Sequence, residues 1–372
     1  MAVTTTAPVI TTTDTTLTLP AQSSEIFLPL IPEHVTKEWL ASVLGLKIKS
    51  VRKKDEIHGT ASKLVFLITY DESETAKDKP TSVFVKGGFN PDLKAAMPLF
   101  VAMYRREVRF FNEIAPKIPN MNLLRSWWAA ENSDQGIIVM EDLSEKNYIF
   151  SKATEPWGPD LVKKAIAELA ILHAATWGQG QKEYPWLTLD YDEIIMGMFP
   201  GLPYSEFVKD PEHPPLPENM RDSKRVEAYM GKYFATRNPK YQCLVHGDAH
   251  LMNISIAPDG TVGMIDWQLI HGGSCFHDIA YLIAGSMKVE DRREHELSLL
   301  EYYFECLHKN GGPKFSTSEE DTMIEYKRSH ITGFGWICTT TKMHPLENIW
   351  AMIPRFIAAI EDHRVVDLIE SM

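Results

Sequence analysis

Residues 241–268 read YQCLVHGDAHLMNISIAPDGTVGMIDWQ, and the fold is decided here. The apolar run Cys243-Leu244-Val245 breaks into His246-Gly247-Asp248, a polar cluster that a core strand does not carry without partners. Asn253 follows five residues after Asp248, and Ile254-Ser255-Ile256 alternates apolar and polar as a half-buried strand does. Pro258-Asp259-Gly260 is a turn, since proline presets φ and glycine accepts positive φ. A second strand over residues 261–265 then ends at Asp266, and the hairpin folds that carboxylate back toward Asn253 and Asp248. Two carboxylates and one amide at strand ends suit Mg2+, a hard cation that takes oxygen ligands and leaves part of its shell to water and substrate phosphate. Phosphoryl transfer needs such a set: Asp248 to orient or deprotonate an attacking hydroxyl, with Asn253 and Asp266 as metal ligands.

Two other readings of the same letters stand beside this one. His246, Asp248 and His250 form a His-x-Asp-x-His cluster, which suits zinc or iron in a metal-dependent hydrolase. That reading leaves the Asn253 and Asp266 hairpin unexplained. In the other, Asp248 does no chemistry and caps a turn.

At these residues the chain resembles the aminoglycoside phosphotransferase and choline kinase branch of the protein-kinase-like fold. His246-Gly247-Asp248-Ala249-His250 with Asn253 is similar to the catalytic loop of that branch, and Ile265-Asp266-Trp267-Gln268 to its metal-binding Asp segment. The Asp-Trp-Gln tripeptide, in place of Asp-Phe-Gly, resembles the ecdysteroid-kinase-like group most. The resemblance is recognisable over residues 50–285 and specific in the hairpin. It implies an α+β, two-lobed architecture with a small N-terminal lobe built on an antiparallel sheet and a larger, mostly helical C-terminal lobe. ATP and Mg2+ are the implied cofactors, and the implied acceptor is a small molecule with a hydroxyl, an amphipathic or sterol-like alcohol on the Asp-Trp-Gln likeness alone. An inactive kinase-like fold that binds a ligand or partner protein is the rival of a different class, and the joint presence of Lys86, Asp248, Asn253 and Asp266 speaks against it.

Working outward, residues 32–44 read as a helix with Thr36 as a cap, Trp39, Leu40, Val43 and Leu44 on one face, and Gly45 as its stop. Residues 47–54 and 63–70 read as strands around the loop His58-Gly59-Thr60-Ala61-Ser62. With Gly59 and Ser62, that loop is either the cover that kinase-like folds lay over nucleotide phosphates or an ordinary hairpin turn. A third strand, Ser82-Val83-Phe84-Val85-Lys86, ends in a lysine, and residues 103–114 form a helix carrying Glu107. On the family layout Lys86 reaches the α and β phosphates and Glu107 orients it; read alone, a strand-end lysine is solvated. Two more strands, residues 127–129 and 136–140, run into Glu141-Asp142-Leu143. The resemblance makes this the link between lobes, whose backbone meets the adenine edge; the two acidic side chains read as solvated.

Beyond it the period turns helical, with Leu161, Ala165, Ile166, Leu169 and Leu172 on one face and Gly178 as the stop. His173 on this helix is a scaffold residue. Residues 182–218, rich in proline and aromatics such as Pro185, Trp186, Phe199, Pro200 and Pro203, form an irregular insertion, and the resemblance implies that it borders the acceptor pocket. His271-Gly272-Gly273-Ser274 reads as a flexible loop, and Asp278 as a helix cap that braces the catalytic loop. Two or three further helices fill residues 288–372. Trp336 and the aromatic residues near it read first as core and otherwise as lining of a substrate pocket.

At 372 residues the chain is long enough for two lobes, which we place at 26–143 and 144–372 after a Thr-rich, disordered tail of residues 1–25. A formal charge of −12, from 38 basic and 50 acidic residues, argues against a nucleic-acid partner, which calls for clustered lysine and arginine. Cys243, Cys275, Cys306 and Cys338 are widely spaced without a C-x-x-C pair, which points to a reducing, cytoplasmic setting. No run approaches the ~18 apolar residues of a membrane span.

Overall fold

The computed structural model describes residues 27–57, 59–144, 146–187, 196, 204, 208–341 and 343–372; the Thr-rich tail and about half of the 182–218 insertion, including Phe199, Pro200 and Pro203, lie outside them. The N-terminal part is a five-stranded antiparallel sheet in the order β1-β2-β3-β5-β4. Its strands are β1 (Ile48–Ile57), β2 (Ser62–Tyr70), β3 (Ser82–Gly87), β4 (Ser126–Glu131) and β5 (Gly136–Glu141). Side chains alternate across a strand, and the two faces have different work. Leu64, Phe66 and Ile68 of β2, Val83 and Val85 of β3, and Ile137 and Val139 of β5 share a core with Trp39, Leu40 and Val43 of helix α1 (Lys37–Leu44). On the opposite face Lys63 and Val65, Phe84 and Lys86, and Met140 look into a cleft.

The 32–44 segment is two pieces: a 3-10 turn at Pro32–His34, then α1, whose first turn Thr36 closes by accepting from the Trp39 amide at 3.2 Å. Gly45 ends it at φ 65°, a left-handed conformation natural to glycine. After the short α2 (Pro91–Ala96), α3 (Leu99–Arg109) continues through a wide π turn at Phe110–Ile114. It carries Glu107 under the sheet.

The C-terminal part is mostly helical, as the fold class requires. A small sheet, β6 (Ile149–Phe150), β8 (Ile254–Ile256) and β9 (Val262–Met264), holds the hairpin. Around it stand α4 (Pro159–Ala175), α5 (Ser223–Ala235) and α6 (Cys275–Ser286). All twelve residues of α6 are buried, so it is the axis on which the other helices pack.

The His271–Ser274 segment is strand β10, not a flexible loop; it pairs antiparallel with β7 (Gln242–Val245). Its glycines are there for lack of room: a Cβ on Gly272 would lie 3.1 Å from the Gly180 Cα, and one on Gly273 3.1 Å from the His271 ring. Among the described residues of 288–372 there are five α-helices rather than two or three: α7 (Val289–Lys309), α8 (Glu320–Ser329), the single turn α9 (Phe334–Ile337), α10 (Leu346–Asp362) and α11 (Val365–Ser371). Apolar periodicity missed α8 because its inward face carries Glu325 and Arg328, paired at 3.7 Å and buried.

Candidate active site

Strand β7 leads into the loop of residues 246–250, and three hydrogen bonds fix its start. Buried Asp278, in the first turn of α6, accepts from the His246 amide at 2.7 Å and the Gly247 amide at 2.9 Å, while His173 of α4 meets the same carboxylate at 3.1 Å. Asp278 is therefore a brace and not a helix cap; its burial opposes ionisation, but the His173 hydrogen bond and nearby imidazoles hold it well below the usual carboxylate range. His173 is scaffold, its other ring nitrogen 2.9 Å from the Tyr303 hydroxyl. Gly247 stands at φ 83°, and a Cβ there would come within 2.3 Å of the Leu269 carbonyl oxygen, so only glycine serves.

The loop then presents Asp248. Its Oδ2 accepts from Asn253 Nδ2 at 2.8 Å and its Oδ1 from the Tyr281 hydroxyl at 3.1 Å, with His250 Nε2 at 3.4 Å. Burial pushes this carboxyl up, but His250, His246 and Tyr281 outweigh it and bring it down to about 2. The hairpin closes as its letters imply: the Ile265 amide donates to the Asn253 carbonyl at 2.9 Å, and Gly260 takes φ 80° in the turn. Asp266 leaves β9 at φ 66°, a strained value for a non-glycine residue that recurs at functional sites.

Asp266 meets the sheet at Lys86. The Lys86 Nζ lies 2.9 Å from Asp266 Oδ1 and 2.7 Å from Glu107 Oε2. Lys86 is 4% exposed and so is not a solvated strand end. Burial alone would lower its ammonium; Asp266 and Glu107 outweigh that and hold it charged. Burial would likewise raise Asp266, but Lys86 and Lys63 keep it below the usual value, while the charge of nearby Asp248 acts against them. Glu107 also accepts from the Trp267 amide at 3.2 Å, and the Trp267 ring stacks on Phe110 at 3.7 Å. This ties α3 to the hairpin.

Lys86, Glu107 and Asp266 close one end of a cleft of about 370 Å³ with apolar walls from Val65, Phe84, Met140, Met252 and Met264. Its far edge is the chain at 141–144. Asp142 there is not solvated but buried, accepting from Ser82 Oγ at 2.5 Å and the Ser144 amide at 2.9 Å. Thus five predicted site residues come together: Lys86 and Glu107 with Asp266, and Asp248 with Asn253. Gly59 and Ser62 do not join the cleft wall; Gly59 lies in the turn between β1 and β2, and buried Ser62 faces Gly87 across the sheet. Lys63, next to them, does line the cleft. Its alternation with buried Leu64 was the sequence signal.

The His-x-Asp-x-His cluster is not a metal set. His246 is fully buried, its Nε2 engaged by the Ile265 carbonyl at 2.9 Å and its Nδ1 by the Asp248 amide at 3.2 Å, which leaves no lone pair for a cation. His250 instead joins an aromatic wall beside Asp248: its ring meets buried Trp336 at 5.3 Å, and Trp336 meets His344 at 4.6 Å.

Fold and site together define a phosphotransferase of the protein-kinase-like class. The chain belongs to the ecdysteroid kinase-like family, whose model matches residues 61–196 and 206–311, and is accordingly a phosphotransferase with an alcohol group as acceptor. Among solved structures it is similar to the amicoumacin kinase hAmiN in complex with AMP-PNP, Ca2+ and Ami, at 14% identity over 88% of this chain and 93% of that one, with a TM-score of 0.51. The choline kinase LicA of Streptococcus pneumoniae is 13% identical over 91% and 99%, with a TM-score of 0.47. An ethanolamine kinase of Plasmodium vivax is 11% identical over 87% and 83%, with a TM-score of 0.48. No curated protein sequence matches. Among the described residues no helix is long and apolar enough to cross a membrane.

Proposed function

We propose that the protein transfers the γ-phosphate of ATP, with Mg2+, to a hydroxyl of a small organic alcohol, in the cleft where lobes of residues 26–143 and 144–372 meet. One observation carries this reading: Lys86 bridges Glu107 and Asp266 at the end of an apolar cleft, next to Asp248 and Asn253.

The donor set fits magnesium. Asn253 commits its amide nitrogen to Asp248 and has its oxygen to offer, and Asp266 commits one carboxylate oxygen to Lys86 and has the other. Oxygen donors and excess negative charge suit a hard cation. When bound, the metal offsets charge on the transferring phosphoryl group. The protein's own residues do the positioning. Lys86 holds a fixed positive charge at the phosphate end of the cleft. Asp248, gripped from both sides by Asn253 and Tyr281, accepts a hydrogen bond from the acceptor hydroxyl and aims its oxygen. A carboxylate brought down to about 2 is a weak base, so it takes the proton only as the forming O–P bond makes that hydroxyl acidic.

The acceptor we favour is an amphipathic or sterol-like alcohol. Rings of His250, Trp336 and His344 beside Asp248 support it, and so do Met343, Leu346 and Trp350, which are exposed in the following segment.

ATP consumption against a panel of small alcohols tests the proposal. We expect Asp248→Ala to lower turnover by about a thousandfold and to leave MgATP affinity within about threefold, because Asp248 acts on the acceptor. Wild-type turnover in that variant would remove Asp248 from its role. MgATP binding by the wild-type chain with no turnover across the panel would favour the binding-protein reading.

A further inference from the structure

Resting on the kinase reading, we propose that Lys63 is a second phosphate-binding cation, which holds non-bridging oxygens of the nucleotide opposite Lys86. The argument starts from register. Lys63 on β2 is the direct cross-strand partner of Lys86 on β3, and such partners point to the same face with Cβ atoms about 5 Å apart. That face is the cleft, whose wall includes both lysines.

The need for a second cation follows from charge. Lys86 is outnumbered by three carboxylates, Glu107, Asp266 and Asp248. Its ammonium already meets two of them at 2.7 and 2.9 Å, so little of it is left for a ligand. A polyphosphate entering this end of the cleft meets no net positive charge even beside one divalent metal. Of the other lysines on the cleft wall, Lys54 reaches Ser144 Oγ at 3.3 Å, on the far edge. Lys63 is half-buried and forms no ion pair among the described residues, yet it feels Asp266 and Glu107. Holding a half-buried lysine charged beside carboxylates it does not touch is less favourable than giving it a bound counter-charge. A phosphate group in the cleft supplies that counter-charge.

The test is calorimetric titration of the full-length chain with MgATP and, separately, with adenosine, which has no phosphate. We expect Lys63→Met to weaken MgATP binding by about tenfold or more and adenosine binding by less than about twofold, with Lys63→Arg returning MgATP affinity to within about threefold, since a charge-assisted contact is lost and then replaced. Lys63→Gln, closer in polarity, is measured alongside so that the result stands if the methionine variant folds poorly. Unchanged MgATP affinity in the methionine or glutamine variant overturns the proposal. So does an equal loss for adenosine and MgATP, which marks a structural role. If the wild-type chain binds no MgATP, the kinase reading falls and this inference with it; if it binds and Lys63→Met binds equally, only the inference falls.

Discussion

Asp278 was legible as the brace of the catalytic loop, though not in the helix-capping part also given to it. Placed four residues into α6, it ties the catalytic loop to that fully buried helix through the His246 and Gly247 amides. Removing the carboxylate strands three buried donors, each costing about 1–3 kcal/mol when unsatisfied. Asp278→Ala should therefore destabilise the chain by about 3 kcal/mol or more and also lower turnover, because Asp248 loses the support of its loop; urea unfolding and a rate assay read the two effects. A loss under about 1 kcal/mol would show the amides finding other partners. Asp248, Asn253 and Asp266 themselves were legible because turn chemistry is local: a Pro-Asp-Gly turn and two short strands leave few ways to place them. Lys63 was passed over because a lysine at the start of a β-rich run looks solvated until its cross-strand neighbour is known.

At the scale of the element, strands and helices with regular apolar spacing were read well, and those with polar interiors were not. The α1 cap is the clean case. Thr36 accepts from the Trp39 amide, and the helix it starts lays Trp39, Leu40 and Val43 on the sheet. Thr36→Ala should lower stability by about 1 kcal/mol, measured by chemical denaturation, with MgATP affinity unchanged because α1 packs on the face away from the cleft. A shift in that affinity would mean that the sheet transmits strain to Lys86. Strand β10 failed the reading because two consecutive glycines look like a loop, whereas close approach of Gly180 and Val245 is what demands them. Helix α8 failed because buried ion pairs break the apolar period.

The whole molecule buries several histidines. Burial brings His277 and His330 down to about 4, and His271 falls well below its ordinary value for the same reason. All three are lowered in the folded state, so between the ordinary value of 6.5 and about 4 the unfolded chain binds protons that the native chain does not. Stability must then fall with pH through that window, by about 1.4 kcal/mol per unit for each group. Urea midpoints at neutral pH and at about pH 5 check it; midpoints that do not move would mean that these rings protonate without unfolding. His330 also stacks on His363 at 4.6 Å, both beside Glu296, which takes the Tyr326 hydroxyl at 2.7 Å and Arg292 at 2.9 Å. Both ring Nε2 atoms meet the same Glu296 oxygen, His363 at 2.8 Å and His330 at 3.3 Å, and an arginine already neutralises the carboxylate. The cluster thus serves as a polar core between α7, α8 and α10.

The letters alone determined the hairpin and the alternation of the five strands, because periodicity and turn geometry act over a few residues; the α+β class came from the family resemblance. Tertiary structure alone decided which charges meet. Lys86 lies 21 residues from Glu107 and far from Asp266 in the chain, and a residue's local neighbours say nothing of a partner that arrives with another strand or helix. The same holds for the second lysine beside it and for the tight spaces that only glycine fills, since both are properties of what packs opposite and not of what comes next in the chain.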